Sequence, residues 1–447
     1  MIFGTSGARG FIDQNLKPNL VYKLTIAYQK YTGYKKVVVG QDDRRQSKIL
    51  KGAVIDALLS QGVHVLDVGA APTPVIARLT KELEAEGAVA ITGSHTPPYI
   101  AGVLYFLEDT GELGLKDSAK VEKIFEKISD SPVGWKKLGR LEQVDDAIEL
   151  YVKSVLRDAK KVKNYRFIFD AANGVAGSYA KAVFEELGLN YSMLNHLPLG
   201  SFPNRLPSPT LQHLKKTSKE VREKGFDFGV ATDADGDRAI FIDNIGKIIL
   251  GDITGAYFAS RALELKRGKI VTPINSSDSI IEIAKKHGIK LIWTKVGPPA
   301  IVDAIRKNKK DTVFAFEESG KYIWPETLLY GDSVYSVLKA LEDPQFTENL
   351  KEIPRFYVIK KEVRCADEIK YTVIKEIDKM TDGKKIHKDG IKIYYKKHAW
   401  MLVRASGTEP LIRVFGHDKV LKNAENIASS GVEIVKEAKK KVEGSFH

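Results

Sequence analysis

Residues 37–68 read VVVGQDDRRQSKILKGAVIDALLSQGVHVLDV, and this stretch decides the fold. The β-branched run Val37-Val38-Val39 predicts a strand. From Ser47 to Gln61 the apolar Ile49, Leu50, Ala53, Val54, Ala57 and Leu58 recur at helical spacing, which predicts a helix with one buried stripe. Gly62 stops that helix, and Val63 to Val68 predicts a second strand. The same order recurs twice. Phe167-Ile168-Phe169 leads to a helix from Gly177 to Leu187, a stop at Gly188 and a strand from Leu189 to Leu194. Lys269 to Thr272 leads to a helix from Asp278 to His287, a stop at Gly288 and a strand from Ile289 to Thr294. Three strand–helix–strand units imply three related α/β domains with mixed, mostly parallel sheets.

Each unit adds one more apolar strand that runs into a polar loop. Ala88 to Ile91 enters Thr92-Gly93-Ser94-His95-Thr96-Pro97-Pro98, where the glycine and prolines force a sharp turn that exposes a hydroxyl. Phe228 to Ala231 enters Asp233-Ala234-Asp235-Gly236-Asp237-Arg238, and Val313 to Phe316 enters Glu317-Glu318-Ser319-Gly320-Lys321. Ligands of open α/β sheets bind beyond the carboxyl ends of the strands, so these loops are expected to wall one cleft. From about Pro354 the pattern breaks into a C-terminal α+β domain: a helix near Asp367 to Met380, strands near Ile391 to Tyr395 and Ala399 to Val403, and a long basic final helix. It carries a fourth loop, Arg404 to Pro410, with Arg413 just beyond. The expected domains are residues 1–142, 143–247, 248–353 and 354–447.

The whole composition suits such a protein. A hydrophobic share of 43% with 28% charged residues is that of an ordinary globular chain. No apolar run approaches the roughly 20 residues needed to span a bilayer, so no membrane partner is expected. Met1-Ile2-Phe3-Gly4 lacks a basic and an apolar leader region, and the lone Cys365 rules out internal disulfides; both fit a cytoplasmic protein. The net charge of +13 fits anionic partners, but the lysines are spread along the chain without interleaved aromatics. Phosphorylated metabolites are therefore expected, and nucleic acid is not.

Three carboxylates within five residues, Asp233, Asp235 and Asp237, repel unless a cation joins them, and hard oxygen ligands suit Mg²⁺. An EF-hand would need Gly and Glu where this chain has Arg238 and Asn244. Arg404, Ser406, Gly407, Thr408 and Arg413 offer guanidinium forks, hydroxyls and close backbone N–H groups, as a phosphate requires. Glu317 and Ser319 suit sugar hydroxyls. His95 is read as a poor base for Ser94, because adjacent side chains of an extended loop point apart. A hydroxyl, a divalent-metal site, a polyol reader and a phosphate clamp together indicate phosphoryl transfer involving a phosphorylated sugar. Neither a P-loop nor a dinucleotide fingerprint occurs.

These segments resemble the α-D-phosphohexomutases, the phosphoglucomutase/phosphomannomutase superfamily, over essentially the whole chain. The matching stretches are Gly4 to Gly10, Thr92 to Pro98, Asp233 to Arg238, Glu317 to Gly320 and Arg404 to Glu409. Lesser matches are Gly40 to Arg44, Pro72 to Pro74, Asp170 to Gly174 and Thr294 to Gly297. The resemblance implies a heart-shaped enzyme of four domains around one central cleft. Ser94 would carry a phosphoryl group, and Ser94, Asp233, Asp235 and Asp237 would bind one Mg²⁺. Arg238 would offset charge on the transferring group, and Arg9 and Lys295, also counted as catalytic, would face the cleft; Glu317, Ser319 and Lys321 would hold the sugar. Arg404, Ser406, Gly407, Thr408 and Arg413 would grip the non-reacting phosphate. A hexose 1,6-bisphosphate would be intermediate and activator, and a homodimer is an open option.

Four positions depart from the family pattern: Thr96 stands where Asn is common, Leu104 where many carry Lys, and Lys321 and Pro298 where His is usual. They leave the general acid/base unassigned, and Lys321 qualifies only if burial beside other cations lowers its pKa. The Glu-x-Ser-Gly loop fits phosphomannomutase/phosphoglucomutase or phosphoglucosamine mutase, and Thr92-Gly93-Ser94 leans towards the former. More remote alternatives are a Mg²⁺-dependent phosphosugar phosphatase and a non-catalytic phosphosugar-binding protein.

Overall fold

Each of the three repeats builds a layer with one strand order, in a computed structural model that describes residues 2–4, 6–128, 131–407 and 409–444. In the first repeat, Lys36–Gln41 lies between His64–Ala70 and Gly87–Ile91, parallel to both. Ala101–Phe106 then returns antiparallel beside Gly87–Ile91. The second sheet runs Ala239–Asp243, Phe228–Thr232, Phe167–Asp170, Tyr191–Leu194, and the third Tyr322–Ile323, Thr312–Phe316, Lys269–Pro273, Ile292–Thr294. Short edge strands Ala8–Gly10 and Leu141–Gln143 extend the first sheet to six. The antiparallel return strand is absent from the sequence reading. It turns each polar loop into the tip of a hairpin, anchored at both ends by ladder hydrogen bonds.

The helices follow from the same patterning. Arg45–Ser60 buries Leu50, Val54, Ala57 and Leu58, and Gly62 takes the left-handed conformation (φ +77°) that ends it. Gly188 and Gly288 do the same in the other repeats, at φ +58° and +62°. Ile49 does not belong to the buried stripe: it is 57% exposed, because the buried face centres on Leu50, Val54 and Leu58 and Ile49 falls at its edge. One apolar cluster runs from Val38 and Phe106 through Phe169 and Phe241 to Phe316 and Leu338, so the first three sheets share a core.

The C-terminal domain is built differently. Its five strands, ordered Tyr357–Arg364, Leu411–Asp418, Ala399–Ala405, Ile391–Lys396, Lys384–Ile386, are all antiparallel. The helices Lys370–Met380 and Leu421–Gly444 cover them with a separate core around Met401, Val414 and Val435. A small cluster of Ile274, Trp400, Leu402 and Phe415 joins this domain to the third sheet. Among the described residues, no helix is long and apolar enough to cross a membrane.

Candidate active site

The serine loop leaves Gly87–Ile91 through a knot of buried polar groups. Asp42, just past the parallel neighbour strand, accepts from Thr92 Oγ1 and the Gly93 N–H, both at 3.0 Å. The Arg44 guanidinium donates to the carbonyls of Ser94 (2.7 Å), Thr96 (2.8 Å), Ile100 (2.8 Å) and Pro97. A Cβ on Gly93 would collide with that guanidinium, so the position must be glycine. Thr96 closes the turn by donating to the Gly93 carbonyl at 2.6 Å. Ser94 is held at φ +49°, a conformation a non-glycine residue adopts only under constraint.

The aspartate loop meets it from the second sheet. Ser94 Oγ donates to Asp233 Oδ2 at 3.0 Å across 139 residues of sequence. Asp233 Oδ1 accepts from the N–H groups of Asp237 and Arg238, which curl the loop around it. Thr73 Oγ1 donates to Asp235 Oδ2 at 2.7 Å, and Tyr330 Oη to Asp237 Oδ2 at 2.9 Å. Ligand oxygens of the three buried aspartates lie within 4.8 Å of one another. Burial and mutual repulsion push the Asp233 and Asp235 carboxyls above their ordinary range. Asp235 Oδ1 and Asp237 Oδ1 are buried with no hydrogen-bond partner. Hard oxygens with nothing to accept from are what a divalent cation would satisfy, so these residues fit Mg²⁺.

Two basic groups correct the reading of the acid/base. Ser94 is not in extended backbone, and His95 Nδ1 lies 3.3 Å from its Oγ. That nitrogen accepts from Arg238 Nη2 at 2.8 Å, and burial with Arg238, Arg9 and Lys321 nearby holds the imidazole well below its ordinary pKa. His95 is a poor base because its lone pair is engaged, not because it points away. Lys321 Nζ pairs with Asp237 Oδ2 at 2.6 Å and sits 4.1 Å over the Tyr330 ring. Burial alone would lower its pKa, but Asp237, Glu112 and Glu317 outweigh it and raise it. Its neighbours are carboxylates, not cations, so it stays an ammonium.

Of the other expected residues, Arg238 Nε lies 3.5 Å from Asp233 and 3.8 Å from Asp237. Arg9 Nη1 donates to the Gly93 carbonyl at 3.1 Å. Glu317, its carboxyl raised by burial to about 7, stands in the field of Lys321 and Arg238. The buried Ser319 Oγ has no partner. Lys295 is exposed and lines a hollow of about 450 Å³ with Trp293, Asp303, Lys307 and Lys388; its ammonium pairs with nothing among the described residues. Leu104 is fully buried against the Gly7 turn, and Pro298 opens the helix Pro298–Lys307. In the fourth loop, Arg404 and Arg413 stand directly opposite on neighbouring strands. Arg404 Nε donates to Asp389 at 2.9 Å, and Arg413 pairs with Glu409 and, at 3.5 Å, Glu362. Ser406 is buried, with its carbonyl braced by Lys370 Nζ at 2.7 Å, and Gly407 is exposed. Thr408 lies outside the described residues. Asp42, Arg44, Thr73 and Tyr330 had no role in the sequence reading. The first three lie in stretches already matched, but the partners that tie them to the serine and aspartate loops lie 50 or more residues away.

Known proteins agree with this architecture. The chain matches, in order, phosphoglucomutase/phosphomannomutase alpha/beta/alpha domains I (residues 1–132), II (149–246) and III (250–353) and the C-terminal domain (361–427). It is 35% identical to a phosphoglucomutase/phosphomannomutase of Thermococcus kodakarensis, covering 98% of this chain and 99% of that one. It is equally 35% identical to a phosphoglucosamine/phosphogalactosamine mutase of Sulfurisphaera tokodaii, covering 99% of both. The solved structure of a phosphoglucomutase/phosphomannomutase family protein from Burkholderia thailandensis shares the fold. Its TM-score is 0.85 at 24% identity, over 98% of this chain and 97% of that one. Fold and sequence together define an enzyme of the phosphohexomutase class. The chain belongs to the phosphoglucomutase/phosphomannomutase family.

Proposed function

We propose that the protein interconverts hexose 1-phosphate and hexose 6-phosphate, with mannose or glucose as the hexose, through a phosphoserine at Ser94 and a hexose 1,6-bisphosphate. One observation carries this reading: Ser94 Oγ lies 3.0 Å from Asp233 Oδ2, beside two buried carboxylate oxygens that have no partner. Asp233, Asp235 and Asp237 would hold Mg²⁺ with an oxygen on Ser94; when bound, the ion would offset charge on the phosphoryl group. The Oγ–P bond of phosphorylated Ser94 breaks as a bond forms from phosphorus to the free hydroxyl of the hexose monophosphate. The hydroxyl's proton leaves to a base in the cleft. The resulting bisphosphate turns over and returns its other phosphoryl group to Oγ, and a proton returns to the sugar oxygen. That proton carrier is neither Lys321, held as an ammonium, nor His95 Nδ1, which accepts from Arg238.

Arg238 and Arg9 flank the serine loop, where their charge would favour the transferring group. Glu317 and Ser319 would hold sugar hydroxyls in both orientations, and Lys295 would face the cleft. Arg404, Ser406, Gly407, Thr408 and Arg413 would hold the non-reacting phosphate. Lys321 would orient Asp237. The test is turnover of glucose 1-phosphate and mannose 1-phosphate with a bisphosphate primer, alongside intact mass of the protein. A phosphoryl increment on Ser94 is expected; free phosphate released in step with turnover would make the protein a phosphatase instead.

A second reading, phosphoglucosamine mutase, rests on the Sulfurisphaera relative, whose identity equals that of the Thermococcus one. Glucose, mannose and glucosamine phosphates run side by side decide between them.

A further inference from the structure

The loops that carry Ser94 and Asp233 hang from two buried Asp–Arg clamps of one design. In the first sheet Asp42 accepts from the N–H two residues on (Arg44, 3.2 Å), from a helix hydroxyl (Ser47 Oγ, 2.6 Å) and from an arginine Nε (Arg44, 3.0 Å). In the second, Asp170 accepts from the N–H two residues on (Ala172, 3.0 Å), from a helix hydroxyl (Thr217 Oγ1, 2.6 Å) and from an arginine Nε (Arg205, 2.8 Å). Each arginine then donates from Nη2 to a carbonyl at or just before the loop: Arg44 to Ser94 at 2.7 Å, Arg205 to Thr232, the last strand residue, at 2.6 Å. All four residues are buried. The two arginines come from different places in the chain, one two residues after its aspartate and one 35 after, yet arrive at the same geometry. The strand register makes the correspondence close. Asp170 pairs with Ala231, two before Asp233; Asp42 takes its N–H to the carbonyl of Ile91 and lies beside Thr92, two before Ser94. The third sheet has Val271 opposite Ala315, two before Glu317, so its loop carries no such clamp.

We infer that Arg44 and Arg205 are positioning residues that set the Ser94 hydroxyl and the Asp233 carboxylate against each other, Arg44 acting on the serine and Arg205 on the aspartates. This rests on the functional reading above for the serine half only. A guanidinium with several carbonyl partners fixes a loop in a way a single ammonium cannot. Phe202 from the second domain stacks on Arg44 at 4.9 Å, so the first clamp is also seated against the neighbouring domain.

The test is a double dissociation with Arg44→Lys and Arg205→Lys in the full chain. Arg44→Lys should lower kcat and the rate of Ser94 phosphorylation by hexose 1,6-bisphosphate together, about 100-fold, as a misplacement near 1 Å does. KM should stay within about threefold of the parent's, and calorimetric Mg²⁺ affinity should fall by clearly less than in Arg205→Lys, because Ser94 would supply one oxygen to the ion and the aspartates three. Arg205→Lys should instead weaken Mg²⁺ about tenfold or more, as lost support behind a ligand does. If either lysine variant fails to fold, Ser47→Ala and Thr217→Val loosen the same two clamps by one hydrogen bond and should split the same way at smaller amplitude. Loss of serine phosphorylation and metal affinity in parallel in both variants, or in neither, overturns the inference. If the parent protein itself takes no phosphoryl group on Ser94, the functional reading fails instead. The Arg205 arm then decides alone, with unchanged Mg²⁺ affinity overturning the clamp.

Discussion

The centre around Ser94 and the loop around Arg404 solve opposite problems. Around Ser94 most groups are buried and partnered; the buried atoms left without a hydrogen bond include Asp235 Oδ1 and Asp237 Oδ1, which fit a cation, along with Arg238 Nε and Ser319 Oγ. Around Arg404 two arginines stand opposite each other on a strand pair, Arg404 held by Asp389 and Arg413 by Glu409 and Glu362, and Gly407 between them in sequence is exposed. The difference teaches where rigidity is needed. A reacting atom must be placed before the substrate arrives, because electrostatic stabilisation works only if its dipoles need not reorganise. A clamp on a remote phosphate can be completed by the phosphate itself.

The hardest way to break the contrast is Ser94→Ala. Turnover should fall by about 10⁴-fold or more with the phosphoryl increment lost, and near-normal rates would remove Ser94 from the chemistry. Next, Arg404→Ala should raise KM for hexose phosphates about 10- to 100-fold with kcat changed far less, since a charge-assisted bond made equally in ground and transition states is lost. Steady-state kinetics read this; an equal fall in kcat would place Arg404 with the centre.

Asp235→Asn separates the regions by stability. Without metal the folded protein holds protons on Asp233 and Asp235 that the unfolded chain has released, so stability falls as pH rises above the ordinary carboxylate range. Asp235→Asn should therefore raise the metal-free Tm at neutral pH and erase most of the Mg²⁺-induced rise. A lower metal-free Tm would mean that the carboxylate is not in electrostatic conflict. Inorganic phosphate should raise the Tm of the parent but not of Arg413→Ala, if the two opposed arginines form an anion site.

The smallest effect sharpens the boundary between the two regions. Asp252 begins the helix beneath the sugar loop, and burial raises its carboxyl to about 8, against an ordinary 3.8. Native protein keeps a proton there that the unfolded chain loses, so stability declines across that window as pH rises. Asp252→Asn removes the decline and should raise Tm at pH 7 by about 1 °C per kcal/mol recovered, read by calorimetry across pH.

Periodicity alone disclosed the three repeats, their glycine stops and the polar strand ends, because an α/β layer must bury its strands and one stripe of each helix. The aspartate trio stood out because carboxylates so close in sequence are close in any fold, and Ser94 took its expected role from the family resemblance of its strand-end loop. Only the tertiary structure decided that Arg44 and Arg205 hold those loops. It alone showed that Ile49 faces solvent, that His95 is spent on Arg238, and that Lys321 meets carboxylates where cations were considered. Each of these depends on which groups meet across tens to hundreds of residues, and a side chain's charge state and freedom are set by neighbours that only folding supplies.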